Sequence, residues 1–524
     1  MSNTLPATAA EIAALATAAD LPAAARLEAA AGILARGVPE GRALDRAMDR
    51  LAAAGLARPR RTDAPRIWAA YGAELARADR VEAAAGALDL AIALAPELVE
   101  ARLDRATLAF READLETAQR HFEAAAAEAP GSLAAHEGLA AVAARAGDLV
   151  AARRHAAAAL AIDPGSHAAT LALARADLAD GAADRALARS AAALAKAPPP
   201  AVFIPLADLA ADAADALDRP TEAFAWWAER NRLLAASLPP LPVGLERPSA
   251  RAARIATWLE GQPPLRGPLP AAPSDAPVFL LGFPRSGTTL LEKALAGHGL
   301  VRTLEEVDIL ERIAAPLVVP GALEALPRLA PTAADAARKA WRAGAATALG
   351  PGPLPPVIID KMPLSTVLLP AIAQIWPGAR VLLAVRDPRD VVLSCFRRRF
   401  RLNPAMAEFL ALDSAARFYD AVQRIAAARD RLPLSVHVVR HEALVADFEA
   451  ELHGTLRFLG LDWDEDVRNF AARAAARAVT PSDIQLRKGL SADGIGAWRR
   501  YAAELAPVRP LLDGWADRLG YPPD

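Results

Sequence analysis

Four prolines, Pro96, Pro130, Pro164 and Pro198, recur every 34 residues. Small residues keep the same period: Ala84, Ala118, Ala152 and Ala186; Ala91, Ala125, Ala159 and Ala193; Gly72, Ala106, Ala140 and Ala174. A fixed period of this length means one supersecondary unit stacked on copies of itself, because a single unit cannot bury its own apolar face. Two antiparallel helices approach closely only where small residues face each other. The proline then closes the second helix, since it cannot continue the backbone ladder. In an alanine-rich chain one match is cheap, but four registers held over four repeats are not.

The period and pattern resemble the tetratricopeptide (TPR) repeat, which implies an α-solenoid over residues 65–236. A fifth unit, Ala201 to Ala236, is out of register by about three residues. It keeps a helical pattern through Trp226, Trp227 and Leu233, and is expected to cap the array. Residues 1–64 read as helical, with Leu21 to Arg36 and Gly41 to Ala54 broken near Pro39; they are either a diverged repeat or a cap. TPR arrays hold peptides or partner proteins in a concave groove. The resemblance therefore implies an acceptor peptide or protein bound there. A spacer or dimerisation element stays open, because the pattern lines the groove mostly with alanine. Residues 237–276 form a proline-rich linker with one helix inside it, Ser249 to Leu259, expected to join the array to a second domain.

At 524 residues, two to four domains are expected. From 277 to 524 short apolar runs alternate with helical patterns. Val278 to Phe283, Val357 to Asp360, Arg380 to Arg386 and Ser435 to Val439 read as strands. This order predicts an α/β domain with a central parallel sheet covered by helices, its ligands at the carboxyl ends of the strands. Lys+Arg 60 against Asp+Glu 62 leaves a net charge of −2, so neither nucleic acid nor an anionic membrane is an expected partner. The single cysteine, Cys395, excludes an intramolecular disulfide and fits a reducing compartment. Met1 to Asp20 lacks a basic segment followed by a leucine-rich core, and no run of about twenty uncharged apolar residues occurs. The chain reads as cytoplasmic.

The stretch Gly282-Phe283-Pro284-Arg285-Ser286-Gly287-Thr288-Thr289 joins an apolar strand to a helical pattern, Thr289 to Ala296. A strand, a Gly-containing turn and a helix N-terminus make an anion site, because backbone N–H groups and the helix dipole point at one spot. Arg285 adds a charged fork; Ser286, Thr288 and Thr289 add hydroxyls. The Gly282-to-Gly287 spacing fits the start of the nucleotide-triphosphate P-loop, but Thr288 stands where that loop has its lysine. The run Pro-Arg-Ser-Gly-Thr-Thr-Leu resembles the 5′-phosphosulfate loop of sulfotransferases, above all the protein-tyrosine branch. That family takes its sulfuryl group from 3′-phosphoadenosine 5′-phosphosulfate (PAPS). The resemblance implies a P-loop-like domain that binds PAPS through Arg285, Ser286, Gly287, Thr288 and Thr289 and requires no metal. Animal members of that branch are membrane-anchored secretory proteins, so the likeness does not extend to location.

A second stretch supports it. Arg386 ends a strand, Asp387-Pro388-Arg389-Asp390 turns into a helix, and Ser394 and Arg398 follow on it. This resembles the family's 3′-phosphate motif, and implies that Arg386 and Ser394 hold that phosphate, with Arg398 a further cofactor contact. A solvated basic face is the other reading of Arg398, since Arg397, Arg399 and Arg401 surround it. Arg487-Lys488-Gly489 resembles the segment that closes over the 3′-phosphate in cytosolic sulfotransferases. One departure is His441: the protein-tyrosine branch has a cofactor-contacting tyrosine there. His441 either substitutes as a donor or leaves the contact unmade.

Counted without a gap from Arg285, Glu306 falls on the catalytic glutamate of protein-tyrosine sulfotransferases and Glu305 on its neighbour. The resemblance makes Glu306 the general base. Lys361 matches the lysine that neutralises the bridging oxygen, a task Arg285 would share. His298 falls on a non-catalytic histidine and reads as structural. Two other functions stay in view. Val357-Ile358-Ile359-Asp360 looks like a strand-end Mg²⁺ aspartate, which with Gly282 to Thr289 suggests a P-loop kinase. The second is a TPR scaffold with a non-catalytic nucleotide-binding domain.

Overall fold

The computed structural model describes residues 65–523 except 243 and 472–489. The helices expected within residues 1–64 lie outside the described residues. The chain divides into two compact units, with the boundary between Arg219 and Pro220.

In the first unit nine helices follow one another among the described residues: α1 (Pro65–Arg77), α2 (Val81–Leu94), α3 (Val99–Arg111), α4 (Leu115–Glu128), α5 (Leu133–Ala146), α6 (Leu149–Ile162), α7 (His167–Ala179), α8 (Ala183–Leu194) and α9 (Pro200–Ala216). They are the α-solenoid that the TPR resemblance implies. The periodic small residues sit at the helix contacts: Ala84, Ala118, Ala152 and Ala186 are all 0% exposed. A Cβ on Gly72 would lie 2.6 Å from Leu88 Cγ, so the α1–α2 crossing has no room for a side chain. The caps repeat too. Asp114 and Asp148 open α4 and α6, and Ser132 and Ser166 open α5 and α7, each accepting from a backbone N–H of the first turn. Arg111 donates to the Ala76 carbonyl at 3.0 Å, and Arg145, one period later, to the Phe110 carbonyl at 3.1 Å. Each stitches a repeat to the C-terminal turn of the one before, where a cation is favoured.

The second unit begins earlier than the proline-rich run suggests. α10 (Pro220–Ala236), the second half of the unit Ala201 to Ala236 expected to cap the array, groups with this unit. Its Arg230 and Asn231, each 1% exposed, donate to the Phe396 carbonyl at 3.0 Å, and Arg230 also reaches Arg397 O at 3.2 Å. Those carbonyls end a helix and have no partner within it, so a cation and an amide there satisfy otherwise orphaned acceptors. α11 (Pro248–Glu260) is likewise more than a connector. Ala252, Ile255, Ala256 and Leu259 are 0% exposed, and Glu260 pairs with Arg424 at 2.6 Å.

The rest is a five-stranded sheet with helices on both faces. In chain order come β1 (Val278–Gly282), α12 (Thr288–Leu295), β2 (Val301–Glu305), α13 (Pro331–Leu349), β3 (Val357–Lys361), α14 (Leu369–Ile375), β4 (Arg380–Val385), α15 (Pro388–Arg397), α16 (Leu412–Ala427), β5 (Ser435–Arg440), α17 (His441–Ala446), α18 (Phe448–Leu459) and α19 (Arg509–Arg518). The strand order is β2-β3-β1-β4-β5, every pair parallel. Every residue of β1 is buried, as the continuous apolar run of a central parallel strand requires. Leu280, Ile359 and Leu382 pack one face against α12 and α18, while Phe279 meets Trp376 on the other at 5.3 Å between centroids. Because all strands run the same way, their carboxyl ends lie along one edge. That edge carries Glu305, Lys361, the loop after β1, Arg386 and His441.

Candidate active site

The loop after β1 needs two left-handed backbone positions, Arg285 at φ 72° and Gly287 at φ 101°. Gly287 is the N-cap of α12 and no side chain caps that helix, so the first-turn N–H groups stay available. Ser286, Thr288 and Thr289 are buried. Ser286 Oγ finds no hydrogen-bond partner among the described residues. A buried donor left open costs stability unless something completes it.

Arg285, Ser394 and Arg386 come together beside this loop. Arg285 Nε donates to Ser394 Oγ at 3.1 Å. Arg386 Nη1 donates to the Arg285 carbonyl at 3.3 Å, its Nη2 meets Gly494 O, and its buried Nε has no partner among the described residues. Burial, then the charges of Arg398, Arg386 and Arg397, pulls the Arg285 guanidinium down to about 10. Arg398 therefore acts on the same spot. A group so crowded by like charge is stabilised by an anion. Cys395 lies beneath, its Sγ 3.4 Å from the Pro284 carbonyl, with burial pushing the thiol up to about 12, so it is no nucleophile.

Arg487, Lys488 and Gly489 lie outside the described residues. The chain after them returns to the base of α15. Gly496 and Trp498 donate their N–H groups to Asp390 at 2.7 and 2.9 Å, and Arg389 stacks on the Trp498 ring at 3.9 Å. That anchoring brings the Gly494 carbonyl to Arg386.

The strand ends beyond β1 carry a chain of opposite charges. Lys361 Nζ, fully buried, donates to Glu306 Oε1 at 2.9 Å and to Glu305 Oε1 at 3.3 Å. Lys293 Nζ reaches the other oxygen of Glu305 at 2.6 Å. Glu306 sits at φ 53°, a left-handed conformation, with its N–H bonded to the Lys361 carbonyl at 2.9 Å. Its side chain is 46% exposed against 26% for Glu305, so Glu306 is the carboxylate open to an incoming group. Glu292, beneath, accepts from Thr303 Oγ1 at 2.6 Å, and burial raises its carboxyl above the usual range. Lys293 and Glu292 escaped the sequence reading. Their only signal in the sequence is two adjacent charges within the otherwise uncharged helical pattern Thr289 to Ala296; that all eight residues of α12 are buried comes from the structure.

Both ring nitrogens of His298 meet backbone groups. Its Nδ1 accepts from Leu300 N–H and its Nε2 meets the Asp462 carbonyl, both at 3.1 Å. Asp360 is turned from Lys361 by strand alternation. Its carboxylate accepts from Trp341 Nε1 at 2.7 Å, on the far face of the sheet from the Lys361 network. That removes the strand-end metal aspartate on which the kinase reading rests.

An anion loop on Arg285, a second arginine at the next strand end, and a lysine–glutamate pair with no loop lysine form one combination. Residues 277–465 match the family model described as the sulfotransferase family. This stretch is a sulfotransferase-family domain. The chain is similar to protein-tyrosine sulfotransferase A of Caenorhabditis elegans, 25% identical over 272 residues, 47% of this chain and 67% of that one. It is also similar to protein-tyrosine sulfotransferase 1 of Danio rerio, 26% identical over 267 residues, 47% of this chain and 72% of that one. An uncharacterised protein of Aquifex aeolicus is 26% identical over 260 residues, 48% of this chain, and the match spans only 34% of that protein's length. Among solved structures, a sulfotransferase domain from the curacin biosynthetic pathway covers 49% of this chain and all of its own, at 18% identity and TM-score 0.33. A thermophilic TPR protein of Thermus thermophilus covers 33% of this chain and 93% of its own, at 21% identity and TM-score 0.30. In this chain the matched stretch follows the helical array that begins at Pro65. No helix among the described residues is long and apolar enough to cross a membrane.

Proposed function

We propose that the chain transfers the sulfuryl group of PAPS to an acceptor hydroxyl, that of a tyrosine in a peptide or protein being the acceptor class its relatives suggest. The observation that carries this reading is the Lys361–Glu306 pair on the strand edge that also bears the Arg285–Arg386 cluster. The donor fits the residues present. Open hydrogen-bonding atoms on Ser286 and Arg386 and a repelled Arg285 all favour an anion with phosphate at both ends. In this reading Arg386 and Ser394 hold the 3′-phosphate, with Arg398, Arg487, Lys488 and Gly489 around it. Ser286, Gly287, Thr288 and Thr289 hold the 5′ end.

PAPS supplies the activated sulfuryl group when bound. The chain does the rest. Glu306 takes the proton of the acceptor hydroxyl, which leaves the oxygen to attack sulfur in line. As the acceptor O–S bond forms, the bond from sulfur to the bridging oxygen breaks and its electron pair stays on the phosphate. Lys361 and Arg285 neutralise that charge. Protonation of Glu306 weakens its hold on Lys361 and frees the ammonium for this task. The array holds the acceptor, and the single buried cysteine fits work in the cytoplasm.

Incubation with radiolabelled PAPS and a host lysate, followed by identification of the labelled species, tests the reading. A labelled tyrosine-containing protein supports it. A labelled small molecule, glycan or lipid keeps the reaction and replaces the acceptor. No label, despite tight binding of adenosine 3′,5′-bisphosphate, favours a scaffold.

A further inference from the structure

We infer that His441 is a proton-linked ligand of the cofactor's 5′-phosphate: an anion seated at the Gly287 turn draws one proton from solution onto the imidazole. The inference rests on the PAPS reading above.

His441 opens α17 directly after β5. Both of its chain neighbours are anchored. Arg440 donates to the Leu519 carbonyl at 2.6 Å and stacks on Tyr521. Glu442 accepts from Asp387 N–H at 3.0 Å and from Tyr521 Oη at 2.8 Å. The imidazole between them is thereby held over the loop. A Cβ built on Gly287 would lie 2.7 Å from His441 Nδ1, so only glycine lets the ring come this close to the helix N-terminus. That nitrogen is buried and has no hydrogen-bond partner among the described residues.

Arg386 at the end of β4 and Arg285 in the loop act on the ring, and both are cations. The nearby carboxylate, Glu442, is spent on Asp387 and Tyr521. Burial, then Arg386 and Arg285, hold the imidazole down to about 3, so it is neutral in the free protein. A phosphate at the turn offsets both arginines and offers an acceptor to Nδ1–H. Both effects favour the imidazolium. The neutral ring takes one proton from the buffer and then donates from Nδ1. Tyrosine, the residue of the protein-tyrosine branch here, is a donor that does not titrate near neutrality.

This arrangement separates donor from product. In PAPS the 5′-phosphorus carries one ionisable oxygen, because another is joined to sulfate. In the product it carries two, with a second pKa of about 6. The dianion therefore recruits the proton more strongly, and acid conditions tighten product over donor.

The test is calorimetry of adenosine 3′,5′-bisphosphate on the full chain at pH 6, 7 and 8, in two buffers of different ionisation heat. Wild type is compared with H441Y and with H441Q, neither of which titrates. The phosphate's own ionisation is common to all three and cancels. Wild type should take up as much as one proton more than the variants. Its affinity relative to theirs should fall about 10–100-fold from pH 6 to pH 8, the linkage slope for half to one proton. Equal proton uptake with parallel affinity curves overturns the inference and leaves the cofactor site standing. No binding by any of the three proteins overturns the site and the inference together.

Discussion

The array and the α/β unit place their residues by opposite rules. In the array, position i and position i+34 share an environment: Ala84, Ala118, Ala152 and Ala186 are equally buried, and Arg111 and Arg145 make the same contact one repeat apart. In the α/β unit no spacing repeats. Glu306, Lys361, Arg285 and Arg386 lie at the ends of four different strands, and the order β2-β3-β1-β4-β5 brings them to one edge. Period thus encodes a scaffold whose parts are interchangeable, and topology encodes a site whose parts are not. Single substitutions should therefore be nearly all-or-none in one region and local in the other.

The largest effect expected is at Glu306. Glu306→Gln keeps size and hydrogen bonding but cannot take the acceptor's proton. Single-turnover transfer should fall about 10²–10⁴-fold, with affinity for adenosine 3′,5′-bisphosphate nearly unchanged. Glu305, clamped between Lys293 and Lys361, is the control, and Glu305→Gln should be milder. Near-native transfer by the Glu306→Gln enzyme moves the base to another residue. Next comes Arg386. Adenosine 3′,5′-bisphosphate should bind more tightly than AMP, and Arg386→Ala should narrow that gap about 10–100-fold, the worth of charge-assisted hydrogen bonds. Equal affinity for the two nucleotides in wild type removes the 3′-phosphate site.

Ala118→Leu probes the other side of the comparison. Ala118 is 0% exposed in α4, and a larger side chain there should cost about 1–3 kcal/mol in urea unfolding. Since each repeat contacts only its neighbours, adenosine 3′,5′-bisphosphate affinity should not move. A loss of affinity comparable to that of Arg386→Ala would break the independence of the two regions.

The same contrast explains what could be read from the chain. The array was legible because its signal is repeated four times. β1, β3 and β4 are legible because a central parallel strand is one continuous apolar run, and β5, at one edge of the sheet, because Ser435 to Val439 still carries three valines. β2 was not foreseen. It is one of the sheet's two edge strands, five residues long, with Arg302 exposed between the buried Val301 and Leu304, and so short an alternation carries no signal. From the sequence α10 reads as the second half of the array's cap, Ala201 to Ala236, because its helical pattern is ordinary. Its allegiance lies in Arg230 and Asn231, polar residues inside a helix, whose partner carbonyls at Phe396 and Arg397 no local pattern reveals. Glu306 and Lys361 were identified by resemblance, but their mutual contact, and the second lysine on Glu305, come only from strand order.

Two buried aspartates give the finest test of the comparison, because the two regions bury charge in opposite ways. Asp177 in the array and Asp360 in the α/β unit are each 1% exposed. Burial raises Asp177, but Arg153 and Arg189 bond both its oxygens and leave it below the usual carboxylate value. Among the described residues Asp360 has only the neutral Trp341 Nε1–H, and burial pushes it up to about 6. The signs therefore differ. A depressed carboxyl contributes stability above its unfolded pKa of about 3.9, and that contribution is lost as pH falls through its folded value. A raised carboxyl does the reverse: it is neutral in both states below about 4, and stability declines as pH rises from about 4 to about 6, staying low above. Asp360→Asn should remove that decline. Its stability relative to wild type should rise by roughly 1–3 kcal/mol between pH 4 and pH 8 in urea unfolding, two pK units at 1.36 kcal/mol each being the ceiling. The asparagine's own packing cost is independent of pH and drops out of the difference. Asp177→Asn should show the opposite trend, losing most relative to wild type at neutral pH and least in acid. Parallel pH curves for Asp360→Asn and wild type would mean that the carboxyl stays ionised beside Trp341, and that burial in the α/β unit is compensated as fully as in the array.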